Sequence, residues 1–108
     1  MNESNEVFAN VDDDFLAKRI VNAKDRVVFV APGLRSGVAN ALAAAIERLH
    51  ERVTIVLDMD AEVCRLGYGD IEGLELIQTA AAEASVLVLH QPGVRIGLLI
   101  ADEDTIVY

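Results

Sequence analysis

Apolar residues in this chain fall into short runs, each closed by charge, proline or glycine, and the spacing within each run predicts alternating helices and strands. Residues 1–11 are polar. From 12 to 25 (DDDFLAKRIVNAKD) acidic residues come first, Leu16, Ile20 and Ala23 recur at helical spacing, and Lys18, Arg19 and Lys24 follow, which is the charge order a helix dipole favours. RVVFVA, 26–31, is a β-branched run suited to a strand buried on both faces, and Pro32 and Gly33 end it. A long helix follows, with Ser36 as its expected N-cap and Val38, Leu42, Ala45, Ile46 and Leu49 as one apolar stripe.

RVTIVLD, 52–58, is the next strand. A helix between two doubly apolar strands implies a crossover, so these two strands are expected to be parallel neighbours. After an irregular segment, 59–70, a helix is expected from about Asp70 to Ala84, rich in Ala and Leu but weakened by Gly73. Two strands follow, about 86–90 and 94–102. TIVY, 105–108, joins the second of them across Asp-Glu-Asp as a tight antiparallel hairpin. Because the sequence stops inside a strand, it is expected to be part of a longer protein or to have its edge completed by a partner chain.

Composition narrows the function classes. With 18 acidic against 9 basic residues the formal net charge is −9, which repels phosphate backbones and anionic membranes, so nucleic-acid binding by bulk charge is not expected. The five aromatics, Phe8, Phe15, Phe29, Tyr68 and Tyr108, are scattered and form no base-stacking platform. No apolar run has the length of a membrane span, and the first residues lack a signal-peptide pattern, so the expectation is a cytoplasmic protein. Cys64 is single, which leaves no internal disulfide and no Cys-rich metal site.

Three segments hold candidate chemistry. APGLRSGVANA, 31–41, puts Ser36 and Arg35 at a strand-to-helix turn, yet lacks both the Gly-Lys-Ser/Thr ending of a P-loop and the dinucleotide glycine spacing. LDMDAEVCRLGYGD, 57–70, gathers Asp58, Asp60, Glu62 and Asp70 beyond a central strand, where α/β sheets place their sites. Asp60 and Asp70 there read as helix caps rather than metal ligands, and Arg65 and Tyr68 between glycines read as a shaped binding surface or a packed turn. His50 ends the long helix and His90 opens a loop, and neither has a nucleophile placed beside it by sequence. No metal or cofactor is expected.

The third segment is RIGLLIAD, 95–102. With the order of elements around it, it resembles the strand that carries His-x-Lys-x4-Asp in the phospholipase D-like superfamily, aligning without a gap over a chain similar to one half of such a domain from about residue 12 to 108. Arg95 falls on the His, Gly97 on the Lys and Asp102 on the Asp. The resemblance implies an α/β fold with a mixed, mainly parallel sheet flanked by helices on both faces, and a site shared between two halves or two subunits. It also implies loss of chemistry here. A guanidinium keeps its proton and offers no lone pair, so Arg95 cannot attack phosphorus, and Gly97 removes the phosphate-binding cation. The expected function is therefore association or homodimerisation, through the face shared by Arg95, Gly97, Leu99 and Ala101. The alternatives are a small-ligand or nucleotide-binding regulatory domain at Ser36, Asp58 and the RLGYGD loop, or a phosphodiesterase completed by a second half with an intact motif.

Overall fold

The computed structural model describes residues 12–60 and 69–108. It is an α/β fold with a five-stranded mixed sheet and three α-helices among those residues. Helix α1 spans Asp13–Asn22, opened by Asp12, whose carboxylate accepts from Phe15 N at 2.9 Å. Strand β1 (Val27–Ala31) leads to α2 (Ser36–Leu49), and a single 3₁₀ turn, His50–Arg52, leads to β2 (Val53–Leu57). Then come α3 (Ile71–Glu83), β3 (Val88–His90), β4 (Leu98–Ala101) and β5 (Asp104–Val107).

The strand order is β3-β2-β1-β4-β5. Strands β3, β2 and β1 run parallel, while β4 is antiparallel to β1 and to β5, so the predicted parallel pair and the final hairpin are both present. Helix α2 packs between α1 and α3. Its Arg48 reaches across to α1, donating from Nη2 to the carbonyls of Ile20 and Ala23 at 3.0 and 2.9 Å, and so ties α2 to the end of α1.

The strands alternate strictly. Val27, Phe29 and Ala31 of β1, Val53, Ile55 and Leu57 of β2, Leu99 and Ala101 of β4 and Ile106 of β5 are buried beneath the helices. Their neighbours point the other way and are half-buried or exposed. This corrects the expectation of helices on both faces: among the described residues the helices cover one face only. The apolar content of both faces is real, but it does not mean that both are covered.

Local boundaries also move. Ser36 is the first residue of α2 rather than its cap; Arg35 holds the cap position and makes no side-chain capping bond. Helix α1 ends at Asn22 instead of running to 25, because the Lys24 to Arg26 backbone is bound elsewhere. Strands β3 and β4 are shorter than predicted, since residues 91 to 97 form a loop folded over the end of β2. His50 ends α2 with φ 54°, a left-handed conformation at the turn into β2.

Candidate functional site

The carboxyl ends of β1 and β2 form the edge where α/β sheets usually hold their sites. Asp58 directly follows β2 and is buried, with 6% of its surface exposed. Its Oδ2 accepts from Gly93 N at 2.9 Å and from Arg95 Nη1 at 3.2 Å, and its Oδ1 accepts from Asp60 N at 3.1 Å. The Gly93 and Asp60 amides, helped by Arg95, hold the Asp58 carboxyl below its usual pKa against the opposing effect of burial. Around it, Gln91 N donates to Leu57 O at 2.8 Å and Met59 N donates to His90 Nδ1 at 2.9 Å. Asp58 thus fastens the 91 to 97 loop, and with it Arg95, over the sheet edge. His90 serves that fastening as an acceptor.

Beside this anchor lies a cavity of about 280 Å³. Its floor is apolar, made by Leu16, Phe29, Leu34 and Val38, all buried. Its rim carries Asp13, Arg35, Arg95 and Tyr108, with Gly97 at one wall. Burial, and then the nearby Asp13 carboxylate, push the Tyr108 phenol far above its usual pKa, so it remains a neutral O–H at any physiological pH. Among the described residues no His, Ser or Cys lines the cavity.

The predicted site residues are therefore divided. Asp58 and Arg95 meet, and Arg95 and Gly97 share the cavity. Ser36 starts α2 beside the cavity without lining it. Asp70 is a cap: its Oδ1 accepts from Gly73 N at 2.6 Å, and its own N donates to Leu34 O at 3.1 Å, tying α3 to the loop after β1. Arg65, Tyr68, Cys64 and Glu62 lie outside the described residues. Asp102 sits at the far end of β4, beside the start of β1, so Arg95 and Asp102, the two ends of RIGLLIAD, do not converge within this chain.

Compared with known proteins, the chain matches no family model, no curated protein and no solved structure. The functional reading rests on the chain itself. Among the described residues no helix is long and apolar enough to cross a membrane, and no group of three His, Cys, Asp or Glu side chains is placed to hold a metal ion.

Sequence reasoning did not connect Asp58 to Arg95, nor bring Asp13 and Tyr108 to the same rim. It did register Gly73, but as a helix weakness. A Cβ there would stand 2.9 Å from Arg35 C, Leu34 O and Asp70 Oδ1, so the bare backbone is what allows α3 to approach the loop after β1. Replacing a glycine inside a helix by alanine ordinarily adds about 1 kcal/mol of stability. Gly73→Ala is expected to reverse that sign and cost about 1–2 kcal/mol, because two backbone segments must part. Thermal denaturation followed by circular dichroism checks it, and a raised midpoint would mean that the two segments are not held together.

Proposed function

We propose that this chain is a non-catalytic phospholipase D-like half-domain that works by association, and that its helix-free sheet face receives a second copy of itself. One observation carries the reading. The uncovered face presents two registered rows: Thr54, Val28, Ile100 and Thr105 in one, and Leu89, Val56, Val30, Leu98 and Val107 in the other. Neither row contains a charge, in a chain whose net charge is −9.

Leu89, within β3, is 47% exposed and points to this face by strand alternation, while Leu87 and Ile96, just outside β3 and β4, are 78% and 57% exposed. Five strands about 4.8 Å apart and some 15 Å long give a footprint of roughly 350 Å², the size of the largest apolar patch on an ordinary monomer, which is often functional. Two such faces would pack sheet on sheet, with side chains interdigitating across about 10 Å. A second copy is the fitting occupant because the face is uncharged. It meets itself without bringing like charges together, whereas the acidic remainder of the surface stays in water.

This reading moves the association surface. The face carrying Leu99 and Ala101 is closed by the helices, so the contact belongs to the opposite side of the sheet. In sedimentation at rising concentration the chain is expected to dimerise. Val30→Glu, at the centre of the face, is expected to leave a folded monomer, because association would desolvate an unpaired carboxylate. Arg95→Glu is expected to leave the dimer intact. A wild-type chain that stays monomeric, or a dimer that Arg95→Glu dissolves and Val30→Glu does not, would overturn the proposal.

A further inference from the structure

The cavity beside Arg95 lies at the strand ends, off the face assigned to association, and its chemistry calls for a separate reading. Four features act together. Its floor is a closed apolar surface from Leu16, Phe29, Leu34 and Val38, contributed by α1, β1, α2 and the loop after β1. Two guanidinium groups, Arg35 and Arg95, stand on the rim. They are 2 of only 9 basic residues in the chain, so their gathering at one opening is not a reflection of composition. Arg95 is held in place from behind by the buried Asp58, 3.2 Å away, which orients the guanidinium without a ligand being present and lowers the ordering cost of binding. Tyr108 adds a phenol donor at the same rim.

We infer that this cavity binds a small organic acid, with its carboxylate at the rim against Arg35, Arg95 and Tyr108 and its apolar body on the Phe29 floor. A guanidinium matches a carboxylate through paired N–H donors, and a flat or short apolar body suits a pocket of about 280 Å³. Asp13, on the same rim, sets the charge the site accepts. It repels a dianion more than a monoanion, which favours a carboxylate over inorganic phosphate. The role assigned to the cavity is binding alone: among the described residues the cavity lining holds no histidine, serine or cysteine.

Titration with benzoate, its neutral isostere benzamide and inorganic phosphate, followed by calorimetry and by backbone amide shifts, tests the assignment on the whole chain. Benzoate is expected to bind and to move the amides of Leu34, Gly97 and Tyr108. Benzamide and phosphate are each expected to bind at least about tenfold more weakly, as the loss of a charge-assisted contact or of apolar contact demands. Arg35→Gln is expected to weaken benzoate by a similar factor while leaving the fold and the self-association unchanged. Equal binding of benzoate and benzamide, phosphate binding without benzoate binding, or benzoate shifts confined to other residues would each overturn the inference. Because Val30→Glu lies on the other side of the sheet, benzoate binding by that monomeric variant separates this result from the association proposal.

Discussion

Replacing Asp102 with alanine is expected to lower the stability of the fold by about 2–3 kcal/mol, a fall of roughly 10–20 °C in the thermal midpoint for a domain of this size. The reason is not catalytic. Asp102 Oδ1 accepts from the backbone amides of Lys24, Asp25 and Arg26 at 3.1, 2.6 and 3.1 Å, and Oδ2 accepts from Lys24 N at 3.0 Å. Its main chain completes the clamp: Asp102 N donates to Arg26 O at 2.9 Å, and Arg26 Nε donates to Asp102 O at 3.0 Å. One residue thus fixes the link from α1 to β1 against the hairpin turn. The three amides belong to exposed residues, so water replaces part of what alanine removes.

Backbone conformation sharpens the test. Asp102 has φ 57°, a left-handed conformation that asparagine and glycine tolerate better than alanine. Asp102→Asn keeps an oxygen where Oδ1 stands and loses the charge and the Oδ2 acceptor of Lys24 N, so it is expected to cost least. Asp102→Gly relieves the backbone but loses the acceptor, and falls between. The amides of Lys24, Asp25 and Arg26, with Lys24 first, hold the Asp102 carboxyl below the ordinary aspartate value of 3.8. A depressed folded pKa means that the stabilisation is complete above that ordinary value and is lost as pH falls through the folded one. The gap in midpoint between the wild-type chain and Asp102→Asn should therefore close on acidification below about pH 4. A gap that stays constant with pH would mean that the charge contributes nothing.

That Asp102 can be placed on a phospholipase D-like motif and yet hold a loop together illustrates what sequence pattern does and does not carry. Periodicity located the three α-helices and five strands of the described residues because each apolar run meets its neighbours locally. It could not say which apolar faces would be covered, since Val28, Val30 and Val56 read the same whether a helix lies over them or not. The Asp58 to Arg95 contact spans 37 residues and two elements, and no local spacing announces it. Ser36 failed as a cap because the turn after Pro32 places Arg35 in the cap position, a one-residue difference that composition cannot resolve.

One long-range contact was legible in principle. With Asp102 and Glu103 as a two-residue turn and Ala101 opposite Asp104, counting outward sets Gly97 opposite Tyr108. The backbone bonds agree: Gly97 N donates to Tyr108 O at 2.9 Å, and Tyr108 N donates to Gly97 O at 3.0 Å. The missing side chain at 97 then has a physical use. A Cβ there would stand 2.7 Å from Tyr108 Cδ2 and closer still to Cε2 and Cζ, so the ring occupies the space that a longer residue would fill.

Gly97→Ala is accordingly expected to cost about 1–3 kcal/mol, because the ring must leave its seat against the β4 backbone. Tyr108→Ala should cost a comparable amount through lost burial. The two losses are one event, so in the double variant the alanine at 97 should add only a few tenths of a kcal/mol. Tyrosine titration reads the same event without relying on stability. In the wild-type chain Tyr108 ionises well above the ordinary value of 10.0 because it is buried and faces Asp13. Expelled by Gly97→Ala, it should ionise close to that value, and the phenolate absorbance of the variant should rise at lower pH than that of the wild type. Additive stability losses together with an unchanged titration would show that the ring does not rest on Gly97. Coupled losses with an early titration would establish that the space beside Gly97 is filled from within the hairpin by the Tyr108 ring.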